Sequence, residues 1–481
     1  MAFIDSTAVN VALPALQSSL HATVVDVQWV IEAYGLFLSA LILVGGALGD
    51  FFGRRAMFLF GVAGFAVASA GCGFASSIRG LVLWRSLQGL TAAFLVPGSL
   101  SIISANFEKQ SRGKAIGTWA AFTTITTAIG PILGGWLIEH ASWHWVFFIN
   151  LPLAALVLLI SILNLPESRN PAAGPVDWLG AVVVTAGLAG LVSGFLESAI
   201  LGWRNPRVIG TIVFGFGSLI MFIFVEKTEK SPMVPLKLFQ SAGFSGANQL
   251  TLYLYAALGV FFFLFPLNLI QIQKYSATAT GAASAPMILL MFFLSRWSGG
   301  LIAQYGPRLP LLIGPLIAAA GFLLFMVPDV RANYWIAFFP AFAVLGLGMS
   351  ISIAPLTTVV MNSLDQERVG IASGINNAVA RVAGVLAIAV LGIVMVAAFD
   401  HSLRSSLASL NLKADVVHEL ESNVSRLGDL QPPPGVDPQA AAAIRAAVVQ
   451  AFVFGFRVIM LLCALLAVAG AAVAWRKIPA R

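Results

Sequence analysis

Asp5, Glu32 and Arg85 interrupt stretches that are otherwise apolar, and the chemistry such groups offer is to take up, hold and release a proton. An ionised carboxylate at the centre of an apolar helix costs about 2.5–3.5 kcal/mol on insertion scales, so an acid kept there needs a partner or a task. Asp5 is the first candidate proton carrier, although its closeness to Met1 equally suits an interfacial position. Glu32 lies about one turn beyond Trp29, with Tyr34 close by, and is expected to face either a cavity mouth or the outer headgroups. In a closing cavity it can load a proton and give it up when substrate or Arg85 approaches. Arg85 does not discharge readily, so it must find carboxylates, carbonyls or water within a bundle, either as a working charge or as a fixed clamp between helices. Glu197, Arg296, Arg381 and Arg457 break further apolar runs and are candidates for conformational latches. Asn376 and Asn377 precede Arg381 by about one turn, so amides and cation can line one cavity wall; equally, the amides can bind neighbouring helices together.

The elements that must position these groups are membrane helices. With 59% hydrophobic and 10% charged residues in a chain of 481, the composition excludes a soluble globule, whose charged share is about 25%. Roughly 20 apolar residues cross a hydrocarbon core of about 30 Å. Runs of that kind occupy 3–19, 27–49, 56–76, 81–104, 114–138, 145–165, 178–200, 206–225, 244–271, 279–304, 309–328, 334–360, 370–398 and 447–475. Three regions follow: 1–165, a first bundle; 166–240, two additional helices with linkers; and 241–481, a second bundle. The polar stretch 400–445 reads as an external loop, a solvated connector with one amphipathic helix around 402–427. Cys72 and Cys463 lie in apolar runs and suggest neither a disulfide framework nor a metal site. The net charge of +7 resides in short loops, so it reads as topology rather than as nucleic-acid binding.

Gly46-Ala47-Leu48-Gly49-Asp50-Phe51-Phe52-Gly53-Arg54-Arg55 is a charged hinge between two spans. If it is cytoplasmic, that side also collects Lys109, Arg112, Lys114, Arg169, Lys227, Lys230, Lys237, Arg308, Arg368, Arg476, Lys477 and Arg481. The other side holds only Arg79, Arg204, Arg207, Lys274 and Arg331 in its short loops, which puts the C-terminus inside. Trp29, Trp143, Trp145, Trp203 and Trp335 fall near outer span ends, as an aromatic belt does. The hinge has a weak copy in Gly299 to Arg308, with Gly306 in the place of Gly53 and Ala303 in the place of Asp50. Parallel half-repeats place a working site between two bundles that rock against each other. Asp50, able to cap a neighbouring helix N-terminus and to pair with Arg54 or Arg55, is then the single acidic latch of an asymmetric gate.

The hinge resembles the signature between the second and third helices of the major facilitator superfamily. Trp84-Arg85-Ser86-Leu87-Gln88-Gly89 is similar to its fourth-helix R-x-x-Q-G motif, and Gly130-Pro131-Ile132-Leu133-Gly134-Gly135 to the fifth-helix signature of exporters. Asp5 to Pro14 and Trp143 to Pro152 resemble segments of the fourteen-helix drug:proton antiporters. Family members carry an apolar stretch before the first-helix Asp, so Met1 is expected to be an internal start of a longer natural protein.

The resemblance implies an all-α polytopic fold of two six-helix bundles plus two extra helices, and no enzyme activity. It implies export of lipophilic or cationic small molecules in exchange for protons, without a cofactor; a dedicated exporter of one metabolite, amino acid or antibiotic is the alternative, and a receptor or scaffold a more distant one. The expected setting is a bacterial plasma membrane, with small molecules, protons and lipid as partners and a monomeric state. Taken with the residue readings above, the candidates are Asp5, Glu32 and Arg85 for proton coupling, Asn10, Tyr34, Gln88, Asn376, Asn377 and Arg381 for the cavity, and Gly46, Asp50, Gly53, Arg54 and Arg55 for the gate. Gly130 and Gly134 share one helical face and, with Pro131 and Gly135, combine close packing with a bend.

Overall fold

A computed structural model of the protein describes all residues except 108, 170–175, 230, 331, 363–368, 411, 480 and 481. Of the charges weighed above, Lys230, Arg331, Arg368 and Arg481 lie outside the described residues, as do the side chains of Lys109, Arg112, Lys114 and Arg296. The first bundle comprises α1 (Ala2–Ser19), α2 (Val24–Phe52), α3 (Arg54–Gly73), α4 (Ile78–Asn106), α5 (Lys109–His140) and the continuous pair α6 (Trp145–Phe148) and α7 (Asn150–Asn164). Two helices follow, α8 (Trp178–Leu201) and α9 (Pro206–Thr228). The second bundle runs through α10 (Ala242–Leu267), α11 (Ala277–Ala283), α12 (Ala285–Tyr305), α13 (Arg308–Leu324), α14 (Phe339–Asn362), α15 (Val369–Leu407), α16 (Ala414–Ser422) and α17 (Pro438–Lys477).

The helix starts are written locally. Thr23 and Asp26 close a capping box at α2, Asp177 caps α8, and Asn205 and Asp437 cap α9 and α17, each ahead of a proline that presets the first turn. Eleven stretches among the described residues are long and apolar enough to cross a membrane. α1, α5 and α13 are not among them and pack on α5, α1 and α14 respectively.

Within the first bundle α2 and α3 pack on α4, and α1 on α5; within the second, α13 packs on α14 and α17, and α10 on α15 and α17. The bundles meet along α2 with α15, α5 with α11, and α1 with α10. α8 lies against both α2 and α15, so the inserted pair is seated on the seam between the bundles. The second bundle's core is aromatic: Phe261 has Phe265, Phe322, Phe325 and Phe342 at centroid distances of 4.8 to 5.9 Å. That part of the phenylalanine wealth is packing.

The stretch 400–445 departs from the expected solvated connector. α15 continues to Leu407, α17 begins at Pro438, and α16 covers only 414–422 of the expected amphipathic helix. α16 and the segment after it turn back into the seam with Leu420, Leu427 and Leu430 buried. Gln17 of α1 donates to the Arg426 carbonyl at 3.0 Å, and Gln271, just beyond α10, donates to Gln17 at 2.9 Å. Leu427 adopts φ of +49°, a strained value for a branched side chain, and burial of that side chain holds it there. The segment is therefore a plug; its end of the molecule is called the loop face, and the end carrying Asp50 to Arg55 the hinge face. Trp143 also departs from the aromatic belt: it is buried, stacks on His144 and donates to Ser19 at 3.2 Å.

Candidate functional site

α1, α3, α4 and α7 each bring one or two polar side chains to a single buried cluster. Asp5, fully buried, accepts from Arg85 Nη1 through Oδ2 at 2.6 Å. Its Oδ1 accepts from Gln88 at 2.9 Å and from Asn150 at 3.0 Å. Both amides also donate to Ser69, at 2.7 and 3.3 Å. Arg85 Nη1 reaches the Gln88 carbonyl oxygen at 2.6 Å, so the amide is oriented by its neighbours, oxygen towards the guanidinium and nitrogen towards the carboxylate. Arg85 is anchored independently by the Val30 carbonyl at 3.0 Å and by the face of Tyr34, 4.2 Å from ring centroid to guanidinium carbon. The cluster thus pairs one titratable acid with a permanent cation that has somewhere else to rest.

Asp5, Arg85, Gln88 and Tyr34 were all singled out by the sequence, and they come together. Ser69 and Asn150 were not. Asn150 stands inside the Trp143 to Pro152 segment, so a signal existed; Ser69, one serine in an apolar helix, gave none. Glu32 is in neither setting expected of it. It is fully buried, and among the described residues neither carboxylate oxygen has a hydrogen-bond partner. On α2 it follows Gln28 by one turn, and Gln28 donates to the Ile388 carbonyl of α15 at 3.5 Å. Val25, Leu36 and Ala40 on the same side of α2 join Leu188, Val192 and Leu196 of α8 and Val385 and Ala389 of α15 in one apolar cluster. Glu32 therefore lies where α2, α8 and α15 meet, away from Asp5.

In the second bundle Asn376 donates to Asn248 at 3.1 Å and to Thr251 at 2.7 Å, tying α15 to α10. Asn377 is exposed and Arg381 half-buried on the same side of α15. Arg381 stands within electrostatic reach of Tyr34 across the seam and of Tyr255 on α10. Asn10 is half-buried on α1. Glu197 pairs with Arg207 at 3.1 Å and joins α8 to α9, and Arg457 donates to the Pro328 carbonyl at 3.4 Å.

At the hinge face Arg54 pairs with Asp50 at 2.8 Å, while Arg55 donates to the Ile162 carbonyl at 2.8 Å. The helix-capping role expected of Asp50 falls to Glu167, which accepts the backbone N–H groups of Arg55 and Ala56 at 3.0 Å each. Gly53 has φ of +126°, and a Cβ there would strike the Glu167 carboxylate, so glycine is required on both counts. Gly46 faces Pro97 of α4. In the weak copy of the hinge, Arg308 donates to the Ile478 carbonyl at 2.8 Å, so the second half fastens α13 to the end of α17 without a carboxylate.

Gly130 and Gly134 let α5 touch α1 at Thr7 and Ala8, and Gly135 lets it touch Ala277 of α11. α5 runs unbroken through Pro131, whose carbonyl approaches Gly281 of α11. Glu139 accepts from Thr278 twice, from N–H at 2.9 Å and from the hydroxyl at 2.6 Å. Donation by Ser276 and Thr278 holds this exposed carboxylate down to about 2. These contacts and the plug draw the bundles together at the loop face.

A family profile described as Major Facilitator Superfamily matches residues 1–388. The tetracenomycin C resistance and export protein of Streptomyces glaucescens is 31% identical over 98% of this chain and 88% of its own length. The multidrug resistance protein Stp of Mycobacterium tuberculosis (strain CDC 1551 / Oshkosh) is 30% identical over 100% of this chain and 90% of its own. Among solved structures, a bacterial homologue of the human lysosomal transporter Spinster, inward-facing and unoccupied, superposes with a TM-score of 0.66 at 16% identity, over 99% of this chain and 95% of that one. The chain belongs to the Major Facilitator Superfamily of membrane transporters, among relatives named for drug and antibiotic resistance and export.

Proposed function

We propose that this protein exports lipophilic small molecules in exchange for protons by alternating access, with Asp5 as proton carrier and Arg85 as the group that drives release. The observation that carries this reading is the buried Asp5–Arg85 pair, 2.6 Å apart, with its second set of anchors for the arginine. A proton on Asp5 replaces the guanidinium as its partner, and Arg85 falls back on Gln88, Val30 and Tyr34. Return of Arg85 expels the proton. The arrangement described here, ion pair formed and loop face closed, is the state after release. Positive charge in the loops supports a cytoplasmic hinge face and C-terminus in a bacterial inner membrane. Drug-like cargo is supported by the names of the relatives. Glu32 is a second site at the α2–α8–α15 junction, where it senses how closely the bundles meet. Exchange dedicated to one antibiotic or metabolite is the second reading, supported by the relative named for tetracenomycin C alone.

The test is flux by the full chain in proteoliposomes under an imposed pH gradient, screened over dyes, drugs and metabolites. Flux should follow the gradient and lose that dependence in Asp5→Asn. Cargo movement indifferent to the gradient would remove proton coupling.

A further inference from the structure

The seam between the bundles holds a cation that nothing described balances. Among the described residues Arg381 makes neither an ion pair nor a hydrogen bond, although it lies mid-helix in a membrane span. Other span and hinge arginines are engaged: Arg85 by Asp5, Arg54 by Asp50, Arg55 by Ile162, Arg308 by Ile478 and Arg457 by Pro328. A guanidinium stays charged and presents a planar fork of donors, so leaving it unpaired in a low-dielectric setting is costly unless something binds there.

Its surroundings define what that something is. Arg381 is half-buried, hence reachable, and it is within electrostatic reach of Tyr34 from the first bundle and Tyr255 from the second. The Tyr34 hydroxyl is buried and, among the described residues, has no hydrogen-bond partner. It is a spare donor on the first bundle's side of the seam, within electrostatic reach of Arg381. The two membrane-span acids of the first bundle, Asp5 and Glu32, do not serve Arg381. Asp5 is consumed by Arg85, Gln88 and Asn150. Glu32 is two residues from Tyr34, which puts it on roughly the opposite side of α2. With Asp5 and Arg85 cancelling, the charge left among these described groups is positive.

We propose that Arg381 is a cargo-specificity residue: it receives an acidic group, a carboxylate or ionised phenol, on an aromatic molecule, with the Tyr34 hydroxyl as second donor. The proposal rests on the exporter reading above and narrows its cargo, since the same charge that pairs with an acid repels a lipophilic cation. Bidentate pairing is the interaction a guanidinium makes and an ammonium does not, so Lys in this place retains the charge but loses part of the fit.

The experiment measures binding, without any gradient, to the purified full chain by fluorescence anisotropy of two xanthene dyes of opposite charge: fluorescein, an anion, and rhodamine 6G, a cation. Wild type should bind fluorescein in preference to rhodamine 6G. Arg381→Gln should weaken fluorescein by about 30-fold or more, as loss of one member of a desolvated charge pair does. Arg381→Lys should fall between them, and Tyr34→Phe should weaken fluorescein several-fold without affecting rhodamine 6G. Thermal unfolding of each variant separates loss of the site from loss of the fold, and Arg381→Lys with Tyr34→Phe carries the test if the Gln variant does not fold. Wild type that fails to prefer fluorescein, or fluorescein binding that survives Arg381→Gln, overturns the proposal. Because no proton gradient is applied, such a failure leaves the flux test of proton exchange standing as a separate result.

Discussion

Replacing Asp5 by Asn removes one charge from the centre of the first bundle and leaves its shape nearly unchanged. Asn brings one acceptor and one donor where the carboxylate brought two acceptors, and the cluster aims three donors at it, from Arg85, Gln88 and Asn150. Whichever way the amide turns, its NH2 group meets a donor. Arg85, only 1% exposed, is left without its counter-charge. Breaking a buried ion pair by removing one partner costs about 3–5 kcal/mol. With an unfolding entropy of about 2.1 cal/mol/K per residue, that is a fall of about 3–5 °C in melting temperature for a chain of this length. Removing the second charge as well, in Asp5→Asn with Arg85→Gln, should restore more than half of that loss, since no uncompensated ion remains. Transport separates from stability here: both variants should lose gradient-driven flux, the double variant despite its recovered melting temperature. Thermal unfolding in detergent and flux in proteoliposomes are the two assays. A double variant no more stable than Asp5→Asn would refute the claim that Arg85 is stranded, and gradient-driven flux in either variant would refute Asp5 as carrier.

Three further outcomes follow from the two faces. At the hinge, Glu167→Gln weakens the cap of α3 and should cost about 0.5–2 kcal/mol, whereas Asp50→Asn loses a single part-buried ion pair across the α2–α3 turn, worth about 0.2–1 kcal/mol; thermal unfolding that ranks Asp50 above Glu167 would contradict the geometry. At the plug, a Cβ on Gly428 would stand 3.3 Å from that of Gln271, close to the roughly 3.5–4.5 Å of a disulfide, so Gln271→Cys with Gly428→Cys should cross-link on oxidation. Cys72 and Cys463 are buried and do not compete; flux should stop when the pair is oxidised and return with reductant. At the α5–α11 contact, Glu139 is held down to about 2 by donation from Ser276 and Thr278, so closure gains from its charge above the unbound value of about 4.3 and loses that gain as pH falls towards 2. Labelling of a cysteine introduced at the loop face should therefore be slow at pH 5, faster near pH 3, and fast at both in Glu139→Gln.

Apolar runs bounded by Gly, Pro and charge placed nearly every long helix, because membrane-spanning length is a property of the sequence itself. The ion cluster was half legible for a related reason: Asp5 and Arg85 are expensive inside a bundle and stand out, while Ser69 and Asn150 cost little and do not. Glu32 was visible as a residue but not as a location. Its setting depends on how α2 rotates against α8 and α15, and a helix with apolar residues nearly all round carries no periodic signal for that angle. The plug was misread because polar composition suggests solvent, whereas its buried parts are three leucines spaced through a polar segment, Leu420, Leu427 and Leu430. The cap at α3 was misassigned because Glu167 lies more than a hundred residues from the helix it caps.

The two bundles differ in where they keep charge. The first closes its acid on its own arginine, so its charge is balanced internally. The second, among the described residues, leaves Arg381 without an ion pair and fastens Arg308 to a backbone carbonyl. Tyr34 stands between the two, its ring under Arg85 and its hydroxyl unpartnered within reach of Arg381. On the proposed reading, a proton on Asp5 frees Arg85 to lean further on Tyr34, and cargo on Arg381 leans on the same residue from the other side. Competition for one side chain is enough to make proton and cargo exclude each other, which is the condition for exchange rather than joint passage. Tyr34→Phe should then do more than weaken acid binding. It should make fluorescein affinity, measured with the full chain, less sensitive to pH than in wild type, and an unchanged pH dependence would assign the coupling to the bundles' movement alone.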